Sequence, residues 1–187
     1  MILSLVVVIA SLTIHHTVAQ RVLGAFLGVV LVVAAAQDLK RRKIPNWLTG
    51  PAALTGLVIG AILDPSGLPQ QAFAGLGAGG FLFIFAVIYP KGLGMGDVKL
   101  ALVIGICLGS AAVVAMLLGL VLAALGGLLV MRDRGVAAGR RVGLPLAPFL
   151  ALGGVVAILV GPELVTWYTQ HESLTSIWSH AFAGRSG

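Results

Sequence analysis

Long apolar runs separated by short loops constrain the fold of this chain more than any other feature of its sequence. Of 187 residues, 59% are hydrophobic and 10% are charged, whereas about a quarter of a soluble domain is charged. Runs of this kind predict an all-α, polytopic membrane helix bundle of about seven transmembrane helices. The predicted helices cover residues 1–14, 22–37, 45–63, 71–89, 98–108, 111–131 and 144–164.

The loops between these runs differ in charge. Ten of the twelve Lys and Arg residues lie in the loops 38–46, 90–99 and 132–143, and the other two are Arg21 and Arg185. Because Lys and Arg accumulate on the cytoplasmic side of membrane proteins, these loops and the N-terminus are predicted to be cytoplasmic. The clustering of basic residues in these loops therefore accounts for the formal charge of +6. For this reason we expect no nucleic-acid partner. Residues 1–187 are expected to form one membrane domain, with a core at about 21–160 and an interfacial tail at 165–187.

A glycine-rich turn at residues 92–97 interrupts the apolar sequence. Gly94 and Gly96 follow Pro90, and the carboxylate of Asp97 comes directly after them. Glycine gives up more backbone entropy than other residues in a helix and proline lacks a donor, so the preceding helix is expected to end here. A carboxylate deep in a bilayer costs about 2.5–3.5 kcal/mol on insertion scales, which makes Asp97 a candidate functional residue. The alternative is that Asp97 only caps the next helix.

A second carboxylate, Asp38, follows the predicted helix at 22–37 on the same side of the membrane. Of the six acidic residues, only Asp38, Asp97 and Asp133 fall on that side, and Asp133 lies between two arginines as a solvated loop charge would. Two neighbouring carboxylates do not both ionise easily, so one can act as general base on water and the other as general acid toward a carbonyl. This pair predicts aspartic-protease chemistry, which needs no metal and no cofactor. If Asp38 instead pairs with Arg41 or Arg42, both acids are structural.

Two other functions stay open at this point. A transporter would account for a broken helix and carboxylates at the membrane edge. It would want polar residues near the bilayer midplane, and the second to seventh predicted helices show almost none there beyond Thr55, Cys107 and Ser110. A non-catalytic assembly subunit would use the basic loops to hold anionic lipid or a partner. Cys107 is the single cysteine, so neither a disulfide nor a thiolate metal site can form within the chain.

At these positions the chain resembles the type IV prepilin peptidase family, membrane aspartic proteases with a Gly-x-Gly-Asp motif. The resemblance covers about residues 21–160. Three motifs carry it in order: Asp38 with the basic loop and Ile44, Pro45 and Asn46; the run from Gly94 to Leu100; and the proline-containing segment 144–153 with Pro145 and Pro148.

The resemblance implies roles for particular residues and a substrate. Asp38 and Asp97 would be the catalytic pair, and Pro145 and Pro148 would belong to the helix packing around them. The substrate would be a pilin-like precursor whose short basic leader is cut at the cytoplasmic face of the bacterial inner membrane. Membrane lipid would be the other partner of the protein. The residues expected to shape the site are Gly94, Gly96, Lys99, Pro45 and Asn46.

The chain departs from the longer members of that family in one main respect. Those members carry a cysteine-rich cytoplasmic loop and methylate the new N-terminus, whereas this chain has one cysteine. We therefore expect peptidase activity without N-methylation, similar to the short form found with Tad-type pili. Leu146 and Ala147 stand where Phe and Gly are common in the third motif, which is a milder change.

Overall fold

The computed structural model describes residues 17–89, 93–134 and 145–160. This part of the chain contains helices and turns but no β-strand, which confirms the predicted all-α class. Its helices are α1 (Val18–Arg41), α2 (Asn46–Leu63), α3 (Leu68–Ile88), α4 (Met95–Leu108), α5 (Ala112–Arg134) and α6 (Ala147–Val160). The predicted helix at 1–14 and the tail at 165–187 lie outside the described residues, so the count of seven stays a prediction.

Four stretches of the described chain are long and apolar enough to cross a membrane. They are α1, α2, α3 and the 38-residue stretch Met95–Arg132, in which a 3-10 turn (Gly109–Ala111) separates α4 from α5. Gly109 has a φ of 56°, a left-handed conformation that glycine adopts without a Cβ clash. The apolar stretch is therefore interrupted at Gly109, as predicted, and the chain is a multi-pass membrane protein.

The starts of α1, α3, α4 and α6 differ from the sequence prediction by three residues or more. α1 was expected from residue 22 and begins at Val18, and α3 was expected from residue 71 and begins at Leu68. α4 was expected from residue 98 and begins at Met95, because Gly94 takes the cap position and the Asp97 side chain accepts a hydrogen bond from its N–H. α6 was expected from residue 144 and begins at Ala147. Pro148 is then its second residue, a place where the missing N–H of proline costs no helical hydrogen bond.

Glycines let α3 and α4 pack at backbone contact distance. A Cβ on Gly105 would lie 2.6 Å from the Cα of Gly75, and one on Gly79 would lie 3.0 Å from the Cβ of Leu102. Close packing through small residues is how helices associate in lipid. Gly77 and Gly80 on the same helix do not take part, because a Cβ there would meet nothing within 4 Å.

One end of the bundle gathers several helix termini. Ile44, just before α2, lies against Gly96 at the start of α4, and the first N–H of α6 reaches the last turn of α1. The C-terminal end of α1 and the N-terminal ends of α2, α4 and α6 therefore meet. Beneath them lies an apolar core whose fully buried side chains include Leu27, Leu31, Leu100, Ile104 and Leu150.

Candidate active site

Asp38 lies in the last turn of α1 and points into the bundle. Only 6% of its surface is exposed. The helix continues past it to Arg41 and closes when Arg42 turns into the left-handed conformation and donates its N–H to the Asp38 carbonyl at 2.8 Å. The sequence prediction that the helix ends at residue 37 is therefore wrong, and Asp38 is held by helix backbone on both sides.

The Asp38 carboxylate is fixed by a helix from far along the chain. Its Oδ2 atom accepts a hydrogen bond of 3.2 Å from the backbone N–H of Ala147, the first residue of α6. The first N–H groups of a helix have no partner within it and attract anions. Ala147 is itself fully buried. The third motif thus contributes a backbone donor to the site, which the side-chain sequence did not predict.

Asp97 lies on the third residue of α4, and its two carboxylate oxygens have different surroundings. Oδ2 accepts a hydrogen bond of 3.3 Å from the Gly94 N–H. Oδ1 is buried and has no hydrogen-bond partner. Capping therefore accounts for one oxygen only. A buried polar atom without a partner calls for a specific explanation, such as a water or a ligand.

The two predicted acids meet at this end of the bundle. The Asp38 and Asp97 carboxylates lie within range of electrostatic repulsion of each other, and the guanidinium of Arg42 attracts the carboxylate of Asp38. The structure thus brings the predicted pair together, with Arg42 as a nearby charge.

The predicted site-shaping residues connect α2 to α4. The Lys99 ammonium donates a hydrogen bond of 2.8 Å to Asn46 Oδ1, and Pro45 caps α2 in an extended conformation. A Cβ on Gly96 would come within 2.9 Å of the Ile44 Cβ. Gly96 therefore permits the segment at 44–46 to lie directly on the start of α4. Ile44 and Ala147 are the neighbours that the sequence did not assign to the site.

The lack of a side chain at Gly94 has a different structural role from that at Gly96. The Gly94 backbone is extended, with φ −81° and ψ 146°, which any residue can adopt. A Cβ there would meet the Asp97 Oδ2 at 3.3 Å. Gly94 thus keeps the carboxylate close to its backbone donor.

A cavity of about 510 Å³ opens at the same end of the bundle, between the last turn of α1 and the first turn of α2, and neither aspartate lines it. Two cationic side chains, two side-chain amides and several apolar groups line this cavity. The lining residues are Gln37, Arg41, Lys43, Ile44, Pro45, Asn46 and Trp47. Among the residues that the structure describes, no group of three or more His, Cys, Asp or Glu side chains could hold a metal ion.

Sequence comparison assigns the chain to a family. The profile of the type IV leader peptidase family matches residues 25–131, which include both aspartates and the Gly-x-Gly-Asp turn. The chain belongs to the type IV leader peptidase family.

Two proteins similar to this leader peptidase family member illustrate the relationship. A prepilin leader peptidase/N-methyltransferase of Bacillus subtilis (strain 168) is 33% identical over 145 residues, which cover 74% of this chain and 56% of that protein. One of Aeromonas hydrophila is 31% identical over 150 residues, covering 74% of this chain and 49% of that protein. The chain thus spans about half the length of these curated relatives. No solved structure shows a significant match to it.

Proposed function

We propose that this protein is a membrane aspartic endopeptidase that removes the leader peptide of type IV pilin-like precursors at the cytoplasmic face of the inner membrane. One observation carries the proposal. Asp97 presents a buried carboxylate oxygen without a hydrogen-bond partner, within charge-interaction range of the buried Asp38. An unpaired carboxylate oxygen beside a second acid is the arrangement that activation of water requires.

In the proposed reaction, the ionised member of the pair removes a proton from water while the protonated member donates its proton to the carbonyl oxygen of the peptide. The water oxygen bonds to the carbonyl carbon and forms a gem-diol. When the C–N bond breaks, the amine takes the proton first removed from water, and a gem-diol hydroxyl returns one proton to the other carboxylate. The pair ends with a single proton, as it began.

The backbone donors from Ala147 and Gly94 hold one oxygen of each acid. That leaves the other oxygens to water and substrate, and a fixed geometry of this kind accounts for a large part of the rate in such sites. The cavity between the end of α1 and the start of α2 offers room for part of an extended peptide at this end of the bundle. The substrate class comes from the names of the relatives, which are prepilin leader peptidases.

The absence of N-methylation and the link to Tad-type pili belong to the same proposal. They rest on the single cysteine in the sequence. Incubating the purified protein with precursor and labelled S-adenosylmethionine tests the first point. A methylated product would show that the peptidase-only description is incorrect.

The decisive test of the proposed function replaces each acid in turn. Asp38→Asn and Asp97→Asn should both insert into the membrane, and each should abolish cleavage of a co-expressed prepilin. Asp64→Asn is the matched control, because Asp64 lies in the turn after α2, about 27 Å away along that helix, and holds Ser66 and Gly67 there. N-terminal sequencing of the product checks the cleavage point. Processing that survives both active-site substitutions would disprove the proposal.

A further inference from the structure

Thr49 is a buried polar side chain for which the described fold provides no partner. It lies in the first turn of α2, 2% of its surface is exposed, and its Oγ1 makes no hydrogen bond. Among the described residues, only two other buried side-chain oxygens share this condition: Asp97 Oδ1 and Gln71 Oε1. Gln71 lies on the first turn of α3, at the other end of α2, beside Gly60.

The register of α1 and α2 places Thr49 level with Asp38. The two helices run in opposite directions and are joined by residues 42–45. Asp38 lies three residues before the end of α1, and Thr49 lies three residues after the start of α2. At 1.5 Å per residue, each is about 4.5 Å from the shared end of the hairpin. Both side chains are buried, so both face the interior at one depth.

The register of α2 and α4 places Thr49 further toward the core than Asp97. Those helices run in the same direction, with Asn46 bonded to Lys99 and Gly56 beside Ile106. Thr49 is therefore about one turn deeper in the bundle than the bond between Asn46 and Lys99. Asp97 precedes Lys99 by two residues on α4, so Thr49 lies on the core side of Asp97.

The local alternative for such a hydroxyl is a bond to the carbonyl four residues earlier. Here that carbonyl belongs to Pro45, which already accepts the N–H groups of Leu48 and Thr49 at 3.1 and 3.5 Å. The Thr49 hydroxyl makes no such bond. It therefore remains available to another group at this depth.

We propose that the Thr49 hydroxyl is a hydrogen-bond partner of the water that the Asp38–Asp97 pair activates. A buried water requires two to four polar partners, and Asp38, Asp97 Oδ1 and Thr49 Oγ1 are three polar groups on three different helices. The hydroxyl keeps its own proton throughout, so its role is to position the water. This inference rests on the proposed peptidase function and adds a residue to it.

The test compares two substitutions at residue 49 with a control on the same helix. Thr49→Val replaces the hydroxyl with a methyl group of the same shape, and Thr49→Ser keeps the hydroxyl. Thr55→Val makes the same change at an exposed position of α2. Cleavage of a purified precursor is measured in detergent, with kcat and KM determined separately.

We expect Thr49→Val to lower kcat about tenfold, the upper end of the effect of one lost hydrogen bond to a neutral partner, with KM within about twofold of wild type. Thr49→Ser should restore most of kcat, and Thr55→Val should match wild type. The melting temperature of Thr49→Val should not fall, because an unpaired buried hydroxyl does not stabilise the fold.

The outcomes separate this inference from the proposed function. If Asp38→Asn and Asp97→Asn are inactive while Thr49→Val keeps the wild-type kcat, only the role of Thr49 is overturned. If Thr49→Ser is as slow as Thr49→Val, the hydroxyl is not the acting group and the inference also fails. If both aspartate variants still cleave, the peptidase mechanism itself is incorrect.

Discussion

At the level of single residues, Asp97 combines a structural and a reactive environment in one carboxylate. Its Oδ2 completes the start of α4 through the Gly94 N–H, while its Oδ1 is buried without a partner. Capping of α4 by one oxygen of Asp97 is therefore compatible with a catalytic role for the other oxygen. Asp38 is similar, since one of its oxygens is held by Ala147.

The length of the acid at position 38 should matter as much as its charge. Asp38→Glu extends the carboxylate by one methylene and cannot keep both the Ala147 hydrogen bond and the same position relative to Asp97. We expect cleavage to fall by about 100-fold or more, because misplacement by about 1 Å has effects of that order. The cleavage rate of the purified variant is the measurement, and Asp64→Glu is the control. Activity within a few-fold of wild type would contradict the described geometry.

The hydrogen bond between Lys99 and Asn46 should couple α4 to α2. Its 2.8 Å length and charged donor predict a coupling free energy of about 0.5–1.5 kcal/mol. A double-mutant cycle with Lys99→Met and Asn46→Ala, followed by thermal unfolding in detergent, measures it. If the two effects simply add, the contact contributes nothing to the packing of the two helices.

At the level of helices, Gly96 sets how closely the segment at 44–46 approaches α4. Gly96→Ala would place a Cβ 2.9 Å from the Ile44 Cβ and 3.3 Å from the Ile44 carbonyl oxygen. Overpacking of this kind costs about 1–3 kcal/mol, which exceeds the gain of about 1 kcal/mol from helix propensity. We expect a lower melting temperature and slower cleavage.

Gly50→Ala is the control for that substitution, because a Cβ on this α2 residue meets nothing within 4 Å. It should leave stability unchanged or raise it by up to about 1 kcal/mol. Opposite signs for the two variants are therefore expected. A Gly96→Ala protein as stable and active as Gly50→Ala would show that the contact with Ile44 is not tight in the membrane.

The sequence predicted most of the described helices and that two acids lie at one end of the bundle, but not how the helices are assembled. Apolar runs located the helices to within a few residues. The Ala147 donor was not predictable, because a backbone N–H leaves no side-chain signal and its partner Asp38 is 109 residues away. Thr49 and Ile44 were missed for a different reason. Their side chains are visible in the sequence, but only the packing of the helices shows which way they face.

At the level of the whole molecule, the candidate site lies at the same end of the bundle as a group of basic residues. Lys40 and Arg41 extend α1 past Asp38, and Lys43 leads into α2. By the positive-inside rule, their concentration predicts that this end faces the cytoplasm. A precursor could then reach the acids before its leader crosses the membrane. The turn with Ser66 at the other end of α2 carries no Lys or Arg, as an external turn would.

Cysteine labelling can test this orientation because the natural background is low. Cys107 is the only cysteine in the sequence, and it is 6% exposed. Lys40→Cys places a thiol beside the candidate site, and Ser66→Cys places one in the opposite turn. With a membrane-impermeant maleimide, Ser66→Cys should label in spheroplasts, whereas Lys40→Cys should label only in inverted vesicles. The reverse pattern would put the aspartates outside the cytoplasm, where a precursor with an untranslocated leader could not meet them.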